Sequence, residues 1–374
     1  MIYFDNAATT GKKPQCVINA VNNTLKCHCA NPGRSGHEAS RKAAMIIYDV
    51  REKISDMFGA NGVESVVFTS NCTHSINCVI KGVVKENDHI VISDLEHNAV
   101  VRPIYKIGVD YSVAKVSFED DEETFNNFVS AVKENTKLVI CTAGSNVFGK
   151  ILPIKRIGEF CRENNILFAV DAAQTAGIIP IDMEKMKIDY LCIAPHKGLY
   201  APMGIGILIC KREIENTLIE GGTGTDSVNH FQPDFLPERL ESGTLNLPAV
   251  AGIGAGIDFV KSYGIDKIYN HEIKIISHLY NNLSKIDGVR LYTPYPKKEM
   301  FAPVLCFNID GVHSEKVAQY LNRKGIAVRA GLHCAPLAHE KMGTLNSGTV
   351  RICPSVFNDL GEANYLLRAV KCFI

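Results

Sequence analysis

From residue 65 to residue 210 the chain repeats one pattern: a short, continuously apolar run, one or two polar residues, then a longer stretch of helical spacing. Ser65 to Thr69 (SVVFT), His89 to Ser93 (HIVIS), Lys137 to Ala143 (KLVICTA), Ile166 to Asp171 (ILFAVD), Tyr190 to Ala194 and Ile205 to Cys210 read as strands. Thr73 to Lys85 reads as a helix, with Ile76, Ile80 and Val83 on one stripe, and further helices are expected near 122–134 and 154–164. Strands that are apolar on both faces, alternating with amphipathic helices, predict an α/β fold with a mostly parallel sheet covered by helices. Ligands of such sheets bind beyond the carboxyl ends of the strands. The polar residues that end these runs are therefore the first place to look for chemistry.

After residue 246 the pattern changes. A long helical stretch is expected from 248 to 286, then strands at 289–293 and 303–309 and a helix at 314–324. This predicts a large domain over 15–245 and a smaller α+β domain made of 1–14 and 246–374. With 374 residues, 46% of them apolar, the chain can bury a core for both.

Lys plus Arg equals Asp plus Glu at 40 each. No basic field invites nucleic acid. The strongest charge run, Glu119 to Glu123 (EDDEE), reads as a solvated turn before a helix. No stretch approaches the roughly 18 apolar residues of a membrane span. The start, MIYFDNAATT, has neither the basic nor the long apolar region of a signal peptide, so a cytoplasmic location is expected. The 13 cysteines are odd in number and mostly set in apolar runs. They read as buried small hydrophobes rather than a disulfide framework. Cys27-His28-Cys29 has no second pair downstream, and no metal is expected.

Four strand ends carry polar groups that suit one flat, anionic cofactor. Asp171 closes ILFAVD, where a partly buried carboxylate needs a cation, and the protonated ring nitrogen of pyridoxal 5′-phosphate (PLP) is one. Gln174 follows within reach of a ring hydroxyl. Lys197 lies just past Tyr190–Ala194, where low-dielectric surroundings free its amine for a Schiff base. Thr69 to Thr73 (TSNCT) ends a strand and opens a helix, a ready site for a phosphate. His97, in DLEHN, stands where an imidazole can stack on the ring, and Asn146 follows KLVICTA. Each alone has a plain structural reading: a helix cap, a surface lysine, a packed histidine. Their coincidence is what points to a cofactor.

The motifs YFDNAATT, NPGRSGH (31–37), DLEHNA (94–99), DAAQTAG (171–177), HKGLYAPMGIGIL (196–208) and SGTLNLPAV (242–250) resemble the class V aminotransferase family, nearly end to end. Within that family the chain resembles the cysteine desulfurases. The resemblance implies the fold type I of PLP-dependent transferases. It maps Lys197 to the Schiff base, Asp171 to the ring nitrogen and His97 to ring stacking. Gln174 and Asn146 map to ring-oxygen contacts, and Cys72, Thr73 and His196 to phosphate contacts. Thr244 matches a residue that reaches the phosphate of a partner subunit, which implies a homodimer.

RAGLHCAP (329–336) resembles the nucleophile segment of the group II enzymes and makes Cys334 the implied catalytic cysteine. Arg351, in GTVRICPSVFN, matches the arginine that binds the substrate carboxylate, together with Asn146. Ala194 stands where many members have serine, and Cys72 where many have threonine or alanine; Cys353 is an extra thiol. The implied reaction takes sulfur from cysteine, leaves a persulfide on Cys334 and releases alanine. Selenocysteine β-lyase chemistry in the same site, another class V reaction, and a non-catalytic sulfur-carrier scaffold stay open. So does a sulfur-acceptor protein as partner.

Overall fold

The computed structural model describes residues 1–33 and 35–374; Arg34, in the NPGRSGH segment, lies outside the described residues. The chain opens with β1 (Ile2–Tyr3), α1 (Gln15–Cys27) and α2 (Glu38–Phe58), then runs through β2 (Val66–Thr69), α3 (Cys72–Val83), β3 (His89–Ser93), α4 (Asn98–Ile107) and β4 (Asp110–Ala114). Next come α5 (Asp121–Ala131), β5 (Thr136–Thr142), α6 (Ile154–Glu163), β6 (Leu167–Asp171), β7 (Tyr190–Ile193) and β8 (Gly206–Cys210). The remainder holds α7 (Leu247–Tyr263), α8 (Ile265–Leu283), β9 (Val289–Leu291), β10 (Leu305–Ile309), α9 (Ser314–Arg323), β11 (Ile326–Ala327) and β12 (Arg329–Gly331). It closes with α10 (Pro336–Lys341), β13 (Thr349–Ile352) and α11 (Leu360–Lys371).

The central sheet has seven strands in the order β2-β8-β7-β6-β5-β3-β4. Pairings from β7 to β4 are parallel, and β8 is antiparallel to both of its neighbours. The mostly parallel sheet expected from the apolar runs is therefore present. Every residue of β2, β3, β7 and β8 is buried, as a sheet covered on both faces requires. The acidic run differs from the turn expected: Asp121, Glu122 and Glu123 form the first turn of α5, and only Glu119 and Asp120 precede it. Asp120 caps α5 by accepting from the Glu122 and Glu123 amides, and the acids that follow favour the positive end of the helix.

The stretch expected as one helix from 248 to 286 is two helices, because Gly264, at φ +93°, breaks it. That conformation is open to glycine and closed to most residues. Helix α7 packs on α1 and α2, and its buried side chains join the core of the large sheet. Helix α8 carries on from that core into a second one built with Phe4, β10, α9, β13 and α11. We propose to draw the boundary between large and small units within α8, rather than at 245/246. The four-stranded sheet β12-β13-β10-β9 is antiparallel, and β1 pairs in parallel with β11. The N-terminal strand thus lies with the C-terminal unit, and Arg351 on β13 is carried up against the large sheet.

Among the described residues, no helix is long and apolar enough to cross a membrane. Cys27, His28 and Cys29 lie at the end of α1. No group of three or more His, Cys, Asp or Glu set to hold a metal occurs among the described residues.

Candidate active site

One cavity, with about 540 Å³ of empty volume, opens at the carboxyl ends of the central strands. Cys72, Thr73, His97, Asn146, Asp171, Gln174, His196 and Lys197 all line it, and Ala194 lies on its wall. Eight residues spread over 126 positions converge because each follows or ends a strand of the same sheet.

The Asp171 carboxylate, 4% exposed, ends β6. Its Oδ1 accepts from the Ala173 amide at 2.9 Å and from the Cys72 thiol at 3.7 Å. The Cys72 side chain is thus turned to the carboxylate. Burial first, and the Asp171 charge second, push the Cys72 thiol well up, so it stays protonated. At the start of α3, Asn71 caps the His74 amide at 2.9 Å. The amides of Cys72 and Thr73, in the first turn, have no partner in the helix and are free for an anion. Gly206 permits this turn: a Cβ there would lie 2.3 Å from the Asn71 carbonyl carbon. His196 Nδ1 is buried without a partner, and burial pulls this imidazole down to about 4.

Lys197 has its amine pushed downward by burial, against the opposing pull of Asp171. His97 caps α4, and its Nδ1 accepts from the Ala99 amide at 3.0 Å, which leaves the proton of the neutral ring on Nε2. Burial lowers its basicity and Asp171 partly restores it. Gln174 spends its Nε2 on the Ala7 carbonyl at 3.0 Å. The cavity thus holds an unpaired imidazole nitrogen, free helix-start amides, a buried carboxylate and a desolvated lysine. That donor set fits PLP at its phosphate, ring nitrogen and carbonyl carbon.

The C-terminal unit meets this cavity through Asn146, which is 8% exposed. Its carbonyl accepts from Arg351 Nη1 at 2.8 Å, and its Nδ2 donates to the His333 carbonyl at 2.7 Å. Arg351 is 1% exposed, and its Nη2 pairs with Asp5 Oδ1 at 2.9 Å. Its Nε is buried without a partner. Cys334, the next residue after His333, is exposed, and its carbonyl accepts from the Asn98 amide at 2.7 Å, one residue past His97. His333 and Cys334 both adopt left-handed backbone, at φ +50° and +58°. Two such residues in a row cost about 1–3 kcal/mol each and cluster at functional sites.

Thr244 is not brought to this cavity. It is exposed and lines a separate one with Arg51, Thr223 and Glu241. Cys353 is buried against Ala7 and Val304 as a packed residue. Three side chains that the motifs did not single out touch the constellation. Asp5 pairs with Arg351, Arg329 Nη2 lies 4.0 Å from Cys334 Sγ, and Lys13 Nζ donates to the His196 carbonyl at 2.9 Å. Asp5 was visible as the charged residue of YFDNAATT and Arg329 as the first of RAGLHCAP; only their partners were missing.

The model of the aminotransferase class-V family matches residues 2–366. A probable cysteine desulfurase of Methanothermobacter thermautotrophicus is 32% identical over 98% of this chain and 92% of that relative. The apo structure of the cysteine desulfurase of Thermococcus onnurineus superposes with a TM-score of 0.90, at 30% identity, over 100% of this chain and 94% of that one. The Escherichia coli cysteine desulfurase CsdA, in its S-sulfonic acid form, gives a TM-score of 0.87 at 25% identity, over 99% of this chain and 94% of that one. The chain belongs to the class-V aminotransferase family, in its cysteine desulfurase branch.

Proposed function

We propose that this chain is a PLP-dependent cysteine desulfurase that converts L-cysteine to L-alanine and retains the sulfur as a persulfide on Cys334. One observation carries the reading. Asn146, on the wall of the Lys197–Asp171 cavity, bonds both Arg351 and the backbone beside Cys334. This supports a reading in which Lys197, Arg351 and the exposed Cys334 serve one small substrate.

Bound in that cavity, the cofactor ring would act as an electron sink for the substrate's α-carbon. Asp171 would face the ring nitrogen as its partner. The amides of Cys72 and Thr73, with His196, would hold the phosphate, and His97 would lie beside the ring. The substrate carboxylate takes the free Arg351 Nε. Lys197, desolvated, accepts the α-proton on Nζ and returns it later. Cys334 then attacks the substrate sulfur as a thiolate. An S–S bond forms as the substrate's Cβ–S bond breaks, and the electron pair stays with the carbon fragment, which gains a proton and leaves as alanine. Arg329 puts a positive charge beside the sulfur that reacts.

The exposed Thr244 supports a homodimer in which it serves the partner's phosphate. The exposed Cys334 supports delivery of sulfur to an acceptor protein. Thirteen free cysteines suit a reducing, cytoplasmic setting. The test is product analysis with cysteine and with selenocysteine, with and without reductant. Cys334→Ser should lose alanine formation from cysteine, and a wild-type rate in that variant would refute the nucleophile. Lys197→Ala should lose the visible absorbance of the purified protein. A wild-type preparation without that colour would favour a non-catalytic scaffold instead, and faster turnover of selenocysteine a β-lyase.

A further inference from the structure

The residue before Cys334 is His333, and its ring lies against a second buried imidazole. His333 is 3% exposed and His339 is 0% exposed. Their rings lie at 14°, with centroids 5.7 Å apart, and His333 Nδ1 is 3.5 Å from His339 Nε2. Contacts continue at both ends: His339 Nδ1 is 2.7 Å from Thr344 Oγ1, and His333 Nε2 is 3.4 Å from the Arg329 carbonyl.

The direction of these bonds follows from chemistry. A carbonyl only accepts, so His333 carries its proton on Nε2. Burial keeps both rings neutral, pulling His333 down to about 2 and His339 to about 4. A neutral imidazole has one N–H. His333 Nδ1 therefore accepts from His339 Nε2–H, and His339 Nδ1 accepts from the Thr344 hydroxyl, which lies nearer to it at 2.7 Å than to the His339 carbonyl at 3.4 Å. Donation runs one way, from Thr344 through His339 and His333 to the Arg329 carbonyl, and uses every ring nitrogen.

This chain spans the segment that presents the sulfur. Arg329 begins that segment and carries the guanidinium 4.0 Å from Cys334 Sγ; His333 adjoins Cys334 at its end. Between them the backbone turns into the left-handed region at Gly331, His333 and Cys334, at φ +104°, +50° and +58°. Such a backbone persists only where surrounding contacts overdetermine it. The Phe148 ring packs against the second imidazole, with centroids 5.8 Å apart and planes at 54°.

We propose that His339 is a positioning residue for Cys334: through His333 it holds the Arg329–Cys334 segment in the geometry that delivers the sulfur nucleophile. The proposal rests on the reading of Cys334 as that nucleophile. A leucine at 339 would fill similar space and leave His333 Nδ1 buried without a donor. The His333 ring could then turn and release the Arg329 carbonyl. Glutamine can still donate from its amide.

The test uses the holoenzyme and four variants. His339→Leu should lower kcat for alanine formation about tenfold to a hundredfold, the range for a misplaced reacting group, with KM nearly unchanged. Visible absorbance, and its change on adding cysteine, should match wild type, because the cofactor cavity is untouched. His339→Gln should recover most of kcat. Thr344→Val, which removes the hydroxyl that orients His339, should fall in between. The rate of Cys334 alkylation by iodoacetamide should shift in His339→Leu and return in His339→Gln. Wild-type kcat in both His339→Leu and Thr344→Val overturns the proposal. So does a joint loss of KM and absorbance that glutamine fails to rescue. Should His339→Leu not fold, Thr344→Val decides alone, and wild-type kcat there overturns it. Cys334→Ser is the separate control: alanine at the wild-type rate from that variant sinks the nucleophile, whatever His339→Leu does.

Discussion

Asn146 donates its side-chain amide to the carbonyl of His333 at 2.7 Å, across 187 positions of sequence. The bond clamps the backbone of the cysteine segment to the wall of the cofactor cavity. Asn146→Ala would leave that buried carbonyl unpaired, which costs about 1–3 kcal/mol. The expected outcome is a lower denaturant midpoint together with a lower kcat. A stable variant at full rate would show that the clamp is dispensable.

Arg351 and Asp5 form a second link, at 2.9 Å, between the C-terminal sheet and the N-terminal segment. The guanidinium is 1% exposed and Asp5 is 21% exposed. Breaking a buried pair by removing one partner costs about 3–5 kcal/mol, because a charge stays behind unpaired. The accessibility of Asp5 puts Arg351→Ala at the lower end. Arg351→Lys keeps the charge and loses the fork, so its main effect should be on KM for cysteine. Steady-state kinetics beside thermal unfolding would separate the two losses; a lysine variant with wild-type KM would contradict carboxylate binding at Arg351.

Glu272 is 2% exposed and accepts from the Tyr200 hydroxyl at 3.4 Å. Burial raises its carboxyl from 4.5 to about 8. The folded state therefore holds a proton that the unfolded chain releases near pH 4.5. The stability this contributes is complete below that pH and is lost as pH rises through about 8. Glu272→Gln cannot ionise. Its unfolding free energy, relative to wild type, should climb between about pH 5 and pH 8, at no more than about 1.4 kcal/mol per pH unit. A flat difference across that window would mean that Glu272 ionises freely in the fold.

The cysteines divide by exposure. Cys16, Cys27, Cys29, Cys334 and Cys372 are exposed, and the other eight are buried. Brief alkylation of the native protein, followed by peptide mass spectrometry, should label those five and spare Cys72, Cys192 and Cys353. Prior incubation with cysteine should convert Cys334 alone to the persulfide. Early labelling of Cys72 would show that the cofactor cavity opens in solution.

Much of the large unit could be read from the chain, because a covered strand must be apolar along its whole length. The expected strand runs agree with β2, β3, β5, β6, β7, β8, β9 and β10 to within a few residues. Strand β11 is only Ile326–Ala327, and the short β12 and β13 carry Arg329 and Arg351, so no apolar run marked them. The break at Gly264 was hidden because helical spacing resumes at once on the far side.

The sequence by itself determined the α/β sheet and the line of polar strand ends from Cys72 to Lys197, since local periodicity and apolarity dictate both. It also supplied the motif around Cys334, but no physical sign to tell that thiol from 12 others. Tertiary structure gave that thiol distinct surroundings. It exposed Cys334 on a left-handed backbone, tied its neighbour to Asn146, and set Arg351 against the Asn146 carbonyl 205 positions away. It also paired His333 with His339. The Asn146 contacts join segments that share no periodicity, so they exist only once the two units have packed.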